Sequence, residues 1–238
     1  MGETMDFEDR VVLVTGAAGN LGRAVAKTFE DRGARLVLLD RHRDHLEKVF
    51  GAEAERRRFA QVDLLDPGQV SATIDQVAAR SGRIDALANL AGGFHMGTPV
   101  HATPDADWNF MFDLNARTLL NMARAVVPRM LESGGGKIVN VGAFSALKGA
   151  AQMGPYIAAK SSVIRITESM AAELREKNIN VNCVLPTIID TPENRASMPK
   201  ADPARWVAPQ DLASVIAFLC SDAARAVHGA AIAVTGLS

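Results

Sequence analysis

A tyrosine four residues before a lysine is the pattern in this sequence with the clearest chemical capacity. Tyr156 is the single tyrosine among 238 residues, and Lys160 follows it in the run PYIAAK. Pro155 favours the start of a helix, and residues four apart on a helix are neighbours, so we expect the ammonium beside the phenol. A nearby cation lowers the pKa of a phenol from its reference value of about 10. The pair therefore predicts acid/base catalysis.

A glycine-rich turn, TGAAGNLG, follows the first apolar run and precedes an amphipathic segment. Its glycines are Gly16, Gly19 and Gly22. Such a turn lets the backbone approach a pyrophosphate, and the following helix presents its positive end to that charge. Asp40 ends the next apolar run, where a carboxylate can bind both ribose hydroxyls of an adenosine and repels a 2′-phosphate. The pattern favours NAD, while the nearby Arg41 and Arg43 leave NADP open.

Seven apolar runs rich in β-branched residues alternate with segments of helical spacing. The runs begin at Arg10, Ala34, Arg58, Ile84, Lys137, Ile179 and Ala230. Each run is almost continuously apolar, which is typical of strands buried on both faces. The alternation predicts a parallel sheet with helices on both faces. We expect residues 1–238 to form one α/β domain with a doubly wound parallel sheet.

Prolines mark the boundaries of several expected elements. Asp66 before Pro67, and Thr103 before Pro104, predict helix starts in which a capping side chain precedes proline at the first helical position. The long stretch 187–206 contains three prolines and no regular pattern. Loops of that length in a compact domain are usually functional, so we expect a lid over the substrate.

Composition and charge exclude several classes of protein. The formal net charge of −1 gives no field that would attract nucleic acid or an anionic membrane, and no apolar run approaches the roughly 18 residues of a membrane span. Cys183 and Cys220 lie far apart within apolar runs, and His42 and His45 have no further ligand set around them, so no metal site is expected. The N-terminal stretch carries no leader pattern, which favours a soluble, cytoplasmic protein.

The order of these motifs resembles the short-chain dehydrogenase/reductase family, from Arg10 to about Thr235. The family's glycine turn, T-G-x-x-x-G-x-G, is matched here except that Asn20 replaces the middle glycine. Asparagine tolerates left-handed backbone angles, so we expect the turn to survive this change. The segment NLAG resembles the family's N-N-A-G, and PTIIDT resembles P-G-x-x-x-T with Thr187 in place of glycine. Y-x-x-x-K is the most specific match.

The resemblance implies a Rossmann fold and a set of cofactor contacts. In the family's pattern Asp63 lies beside the adenine ring, Thr191 holds the nicotinamide carboxamide, and Asn115 orders a water for proton relay. The residues implied to bind the dinucleotide are Gly16, Asn20, Leu21, Gly22, Asp40, Asp63, Leu64, Asn89, Ala91, Gly92, Tyr156, Lys160, Pro186 and Thr191.

One catalytic hydroxyl of the family's pattern is missing. The family places a substrate-orienting serine thirteen residues before the tyrosine, and that position is Ala143. Ser145 would share its face if the strand continued, displaced by roughly 6 to 7 Å. We therefore predict that Ser145 replaces the missing serine. The alternative is that Tyr156, Lys160 and Asn115 act without it.

These observations predict an NAD(P)-dependent oxidoreductase, with NAD favoured, that interconverts a secondary alcohol and a ketone. Its partner would be a small carbonyl or alcohol substrate. Apolar residues in NARTLLNMARAVVPRML exceed what one sheet face needs, and the resemblance implies a homodimer or homotetramer. The alternative is a dinucleotide-binding regulatory or scaffold protein with impaired catalysis, which the changes at Ala143, Asn20 and Thr187 motivate.

Overall fold

The fold is built on one sheet of seven parallel strands, as a computed structural model of residues 7–238 shows. The strands are β1 (Val11–Thr15), β2 (Arg35–Asp40), β3 (Arg57–Gln61), β4 (Ala86–Asn89), β5 (Gly136–Val141), β6 (Ile179–Pro186) and β7 (Ala231–Val234). Their order in the sheet is 3-2-1-4-5-6-7, and every neighbouring pair is parallel. The predicted doubly wound α/β fold is confirmed. Residues 1–6, where the sequence shows no leader pattern, lie outside the described range.

Within residues 7–238, eight α-helices lie in the connections between successive strands. They are α1 (Asn20–Glu30), α2 (Arg43–Phe50), α3 (Pro67–Ser81), α4 (Asp105–Phe112), α5 (Thr118–Glu132), α6 (Gly154–Leu174), α7 (Pro192–Ser197) and α8 (Pro209–Cys220). Side chains of α3, α5 and α6 form one apolar core, and those of α1, α2 and α8 form the other. Because successive side chains of a strand alternate in direction, Leu13 enters the first core and Val14 the second. Burial on both faces explains the continuous apolar runs.

The two predicted helix starts differ in outcome. The Asp66 side chain accepts hydrogen bonds from the backbone N–H groups of Gly68 and Gln69, and Pro67 is the first helical residue, as expected. The prediction for Thr103 was wrong, because α4 begins one residue later with Pro104 as its N-cap and without a capping side chain. The Thr103 hydroxyl instead donates backward to the Pro99 oxygen.

The segment 187–206, expected to be irregular, contains local structure. It includes α7 and a 3₁₀ turn, Pro203–Arg205. A parallel bridge between Ile189 and Val207 joins its two ends, and Trp206 is buried. Two of the three prolines, Pro192 and Pro203, therefore begin short helical turns here.

Two kinds of feature are absent from residues 7–238. No helix in that range combines the length and the hydropathy needed to cross a bilayer. The range also holds no group of three or more histidine, cysteine, aspartate or glutamate side chains arranged to bind a metal ion.

Candidate active site

The glycine turn between β1 and α1 is too tight for side chains at two positions. A Cβ at Gly22 would lie 2.4 Å from the Gly16 oxygen, and Gly16 has a φ of 61° with Ala91 packed against it. Gly19 caps α1 without a side-chain hydrogen bond. The N–H groups of the first helical turn, including that of Leu21, are therefore free to bind an anion.

The turn tolerates Asn20 in place of glycine, but not because asparagine adopts left-handed backbone angles. We expected a left-handed backbone there, but Asn20 is the first residue of α1 and its φ is not positive. A glycine is therefore not required at this position. The Asn20 side chain points out of the turn, where its Nδ2 donates to Oε2 of Glu193 at 2.7 Å.

Two acidic residues lie at the strand ends beside this turn. Asp40 ends β2, and its Oδ2 accepts a hydrogen bond from the Ala18 N–H at 3.1 Å, which ties the carboxylate to the glycine turn. Asp63 follows β3, where its Oδ1 accepts from the Leu65 N–H. The Arg41 guanidinium, which could have bound a 2′-phosphate, lies 3.5 Å from the Asp63 carboxylate. Asp63 also orients the turn at Leu64.

The loop after β4 is held by a buried threonine. Thr15 ends β1, and its Oγ1 accepts from the N–H groups of Leu90 and Ala91 at 2.9 and 3.0 Å while donating to Asn89 Oδ1. Asn89 in turn donates to Asn140 on β5. Strand order reverses between β1 and β4, which is where open parallel sheets bind their ligands.

Asn115 lies in a turn of π-helix, Asp113–Arg117, between α4 and α5. Its side chain is buried. Nδ2 donates to the oxygens of Gly93 and Met111, and Oδ1 accepts from the Gly93 N–H at 3.1 Å. Turns of π-helix inside longer helices are frequent at functional sites. Here the turn directs an amide against the loop after β4.

Two sequence-predicted side chains, those of Asn115 and Lys160, meet beside Gly92. A Cβ at Gly92 would lie 2.9 Å from Asn115 Oδ1 and 3.1 Å from Lys160 Nζ, so both polar groups approach this glycine. Tyr156 lies one turn before Lys160 on α6, as its spacing predicts. The structure thus brings Asn115, Lys160 and the turn that carries Tyr156 to the carboxyl end of the sheet.

The protonation of the pair differs from the expectation. Burial raises the pKa of Tyr156 to about 12, and burial lowers the pKa of Lys160 to about 8. Lys160 Nζ donates to the Val141 oxygen at 2.8 Å. The prediction that Lys160 lowers the phenol pKa was therefore wrong for the chain alone, because loss of water dominates both groups.

An aromatic contact beside Tyr156 escaped the sequence analysis. The Phe94 ring meets the Tyr156 ring edge to face, with centroids 4.8 Å apart, and Phe94 remains 57% exposed. Val100, also exposed, contacts Gly154 at the start of α6. The available signal was an aromatic residue directly after the glycines that follow β4. These side chains give the site an apolar rim.

The segment after β5 bends before Ser145. The strand ends at Val141, Ala143 is extended and buried, and Phe144–Leu147 forms a 3₁₀ turn. The premise that the strand continues to Ser145 was wrong. Ser145 is half-buried, and within residues 7–238 its hydroxyl has no hydrogen-bond partner. That Ser145 replaces the serine missing at Ala143 stays a prediction, and its remaining support is that the Ser145 hydroxyl is available to bind a substrate.

The end of β6 carries the remaining predicted contacts. Pro186 is its last residue, and the Thr187 hydroxyl donates to the Thr235 oxygen after β7, which gives this side chain a structural role. Thr191 caps α7 by accepting from the Asn194 N–H at 3.2 Å. Thr191 lies at the base of segment 187–206.

Fold and site together define a dinucleotide-binding α/β protein. A side chain at Gly16 or Gly22 would fill the turn. No side chain caps the start of α1, and Asp40 lies at the end of the neighbouring strand β2. These features fit a pyrophosphate and an adenosine ribose. Residues 16–236 match the profile of a family described as enoyl-(acyl carrier protein) reductase. The chain belongs to the short-chain dehydrogenase/reductase family, which makes it by class an NAD(P)-dependent dehydrogenase or reductase.

Several relatives match this chain over nearly their whole length. The chain is 32% identical to D-threitol dehydrogenase of Mycolicibacterium smegmatis, covering 98% of this chain and 95% of that protein. It is 34% identical to cis-4-hydroxycyclohexanecarboxylate dehydrogenase of Sinomonas cyclohexanicum, covering 99% and 98%. Among solved structures, carveol dehydrogenase of Mycobacterium avium in complex with NAD has a TM-score of 0.88, with 27% identity and 98% of both chains covered.

Proposed function

We propose that this protein interconverts a secondary alcohol and a ketone, with Tyr156 as the acid/base group. The observation that carries the proposal is the approach of Asn115 and Lys160 to Gly92, one helical turn from Tyr156. This arrangement lies at the carboxyl end of the sheet, where β1 and β4 diverge. No other titratable phenol is present in the chain.

The chain's own residues handle the proton. The buried Tyr156 phenol, with its pKa of about 12, is protonated at neutral pH and can donate to the carbonyl oxygen of a ketone. Lys160, one helical turn from Tyr156, would supply a positive charge near the phenolate left behind, and Asn115 would lie on the proton-relay path beside Gly92. A bound nicotinamide supplies or accepts the hydride. Alcohol oxidation would reverse this transfer and would first need Tyr156 to lose its proton, which its raised pKa disfavours at neutral pH.

We propose NAD as the preferred dinucleotide. The free N–H groups at Asn20, Leu21 and Gly22 would hold the pyrophosphate, and Asp40 would bind the ribose hydroxyls. The pairing of Arg41 with Asp63 supports this preference, because it engages the guanidinium that directly follows Asp40 in the sequence and could neutralise a 2′-phosphate. The remaining contacts would come from Leu64, Asn89, Ala91, Pro186 and Thr191.

The substrate is proposed to be a small carbonyl compound or alcohol. The names of the relatives describe a linear polyol and a hydroxycyclohexane carboxylate as substrates of those proteins. The exposed ring of Phe94 beside Tyr156 favours an apolar or cyclic substrate body. Segment 187–206 would act as the lid.

The protein is proposed to form a homo-oligomer in the cytoplasm. Trp108, Phe110, Leu120 and Leu131 expose apolar surface on α4 and α5, which supports a homodimer or homotetramer. Cys183 and Cys220 are both buried free thiols, as suits a reducing cytoplasm.

The test is loss of NADH absorbance by purified protein with pooled ketones, sugars and acyl thioesters, repeated with NADPH. Turnover that disappears in Tyr156→Phe supports the proposal. Turnover that persists unchanged in that variant contradicts the assigned role of Tyr156.

A second candidate is a dinucleotide-binding regulatory protein with impaired catalysis. Ala143 favours it, because the buried methyl group removes the hydroxyl that the family's pattern provides beside the tyrosine. NADH binding measured by fluorescence, with no turnover of any pooled substrate, would favour this candidate over the enzyme.

A further inference from the structure

The glycine turn (residues 16–22) and segment 187–206 are joined by a side-chain contact. Asn20 Nδ2 donates to Glu193 Oε2 at 2.7 Å, although the two residues are 173 positions apart. Asn20 is the first residue of α1, and Glu193 is the second residue of α7. Within residues 7–238 this is the one hydrogen bond between the turn and that segment.

Arg23 reinforces the contact from the turn side. Its guanidinium donates to Asn20 Oδ1 at 2.5 Å, which leaves the Asn20 amide nitrogen directed at the carboxylate. The pKa of the Glu193 carboxyl is lowered, first by its own backbone N–H and then by Thr191 and Asn20, with the charge of Arg23 adding to this. Glu193 is therefore ionised at neutral pH, which strengthens a hydrogen bond from an amide.

An ion pair and a hydrogen bond hold helix α7 within its own segment. Arg195 forms an ion pair with Asp190 at 2.6 Å, and Asn194 Nδ2 donates to the Ile189 oxygen at 2.8 Å. These bonds lie inside segment 187–206, so they do not join α7 to the glycine turn. The bond from Glu193 to Asn20 is the hydrogen bond that would have to break for α7 to separate from that turn.

We propose that Asn20 and Glu193 form a latch that holds the lid against the phosphate-binding turn and slows release of the dinucleotide. The inference rests on the proposed function, since the dinucleotide would lie between the two elements that the latch joins. Glycine, which the family's pattern places at position 20, has no side chain to make this bond. The replacement by asparagine thus gains a contact that the pattern lacks.

The test measures NADH release from the full chain by stopped-flow fluorescence, with NAD⁺ in excess as the displacing ligand. The variants are Asn20→Gly, Glu193→Ala and the double variant, with Glu193→Gln as the conservative change that keeps an acceptor. We expect each of the first two to raise the release rate about threefold, as for loss of one exposed hydrogen bond. The double variant should release no faster than either single one. Glu193→Gln should lie closer to the wild type than to Glu193→Ala.

Three results would overturn the latch. Unchanged release rates in both single variants would show that the contact between Asn20 and Glu193 does not slow NADH release. Slower release from Glu193→Ala would show that the carboxylate repels the pyrophosphate instead. Multiplicative effects in the double variant would show that the two residues act independently. Failure of the wild type itself to bind NADH would instead overturn the proposed function, and a melting temperature for each variant separates misfolding from a specific effect.

Discussion

Lys160 donates its ammonium hydrogen bond to the backbone oxygen of Val141, the last residue of β5, at 2.8 Å. A lysine is thereby drawn into the protein interior, next to Gly92 and one turn from Tyr156. Burial lowers the pKa of this lysine to about 8, so its charge is lost just above physiological pH. The contact therefore has consequences for both stability and catalysis.

Stability should rise with pH because of Lys160. The unfolded lysine keeps its ordinary pKa of about 10.5, so between pH 8 and 10.5 the unfolded chain binds more protons than the folded one. The free energy of unfolding should therefore increase by about 1 kcal/mol from pH 7 to pH 9 relative to Lys160→Met. Urea denaturation of both proteins at these two pH values measures the difference.

The comparison ends at pH 9 because other groups act in the opposite direction above it. Burial raises the pKa of Cys183 to about 11 and those of Cys220 and Tyr156 to about 12, so their ionisation favours the unfolded chain at higher pH. Both proteins keep these groups, so the difference reports Lys160. Parallel pH dependences in the two proteins would show that Lys160 is not desolvated.

Replacement of Tyr156 by phenylalanine should remove the proton donor and leave the fold intact. The ring packs against Phe94 edge to face, and phenylalanine keeps that contact. We expect kcat to fall by about 10²- to 10⁴-fold, the range for loss of a general acid. The NADH dissociation constant should rise by no more than about tenfold, the effect of losing one hydrogen bond from Tyr156 to the dinucleotide. An unchanged kcat in Tyr156→Phe would show that a group other than Tyr156 transfers the proton.

Asp40→Ser should change the dinucleotide preference. The carboxylate at the end of β2 would repel a 2′-phosphate, and serine removes the charge while keeping a hydrogen-bonding group. We expect NADPH to bind about tenfold more tightly, as for removal of one like charge at short range. Asp44→Ser, which removes a carboxylate from the first turn of α2, is the matched control. Equal gains in both variants would indicate only a change of net charge.

Ser145→Ala tests the proposed substitute hydroxyl. If Ser145 orients the substrate, kcat/KM should fall about tenfold, equivalent to one hydrogen bond, with NADH binding unchanged. Ser162→Ala is the control, because that hydroxyl donates to the Ala159 oxygen within α6. Wild-type kcat/KM in Ser145→Ala would instead support catalysis by Tyr156, Lys160 and Asn115 alone.

The exposed apolar side chains of α4 and α5 predict self-association. Trp108 stacks on Phe112 yet stays 44% exposed, and Leu120 and Leu131 are also exposed. Covering such a surface removes apolar area from water, which stabilises a dimer or tetramer. Analytical ultracentrifugation at micromolar concentration should show a species of at least twice the chain mass of 25.3 kDa. Sedimentation as monomer alone would contradict this.

The sequence by itself determined the elements and the spacing within them. Continuous apolar runs indicated the buried strands, Asp66 and Pro67 marked a helix start, and the four-residue separation placed Tyr156 one turn from Lys160. These features depend on residues that are close along the chain, whose geometry follows from helix and strand periods. Their positions could be predicted without knowing how the strands pair.

Only the tertiary structure decided which distant groups meet and what they do to one another. Phe94 meets Tyr156 and Asn20 meets Glu193 although each pair is distant in the sequence, because the strand order brings their loops to one edge of the sheet. The tertiary structure also decided the direction in which the pKa of Tyr156 is shifted. Proximity to a lysine suggested that it would be lowered, whereas burial, which no local pattern reveals, raises it.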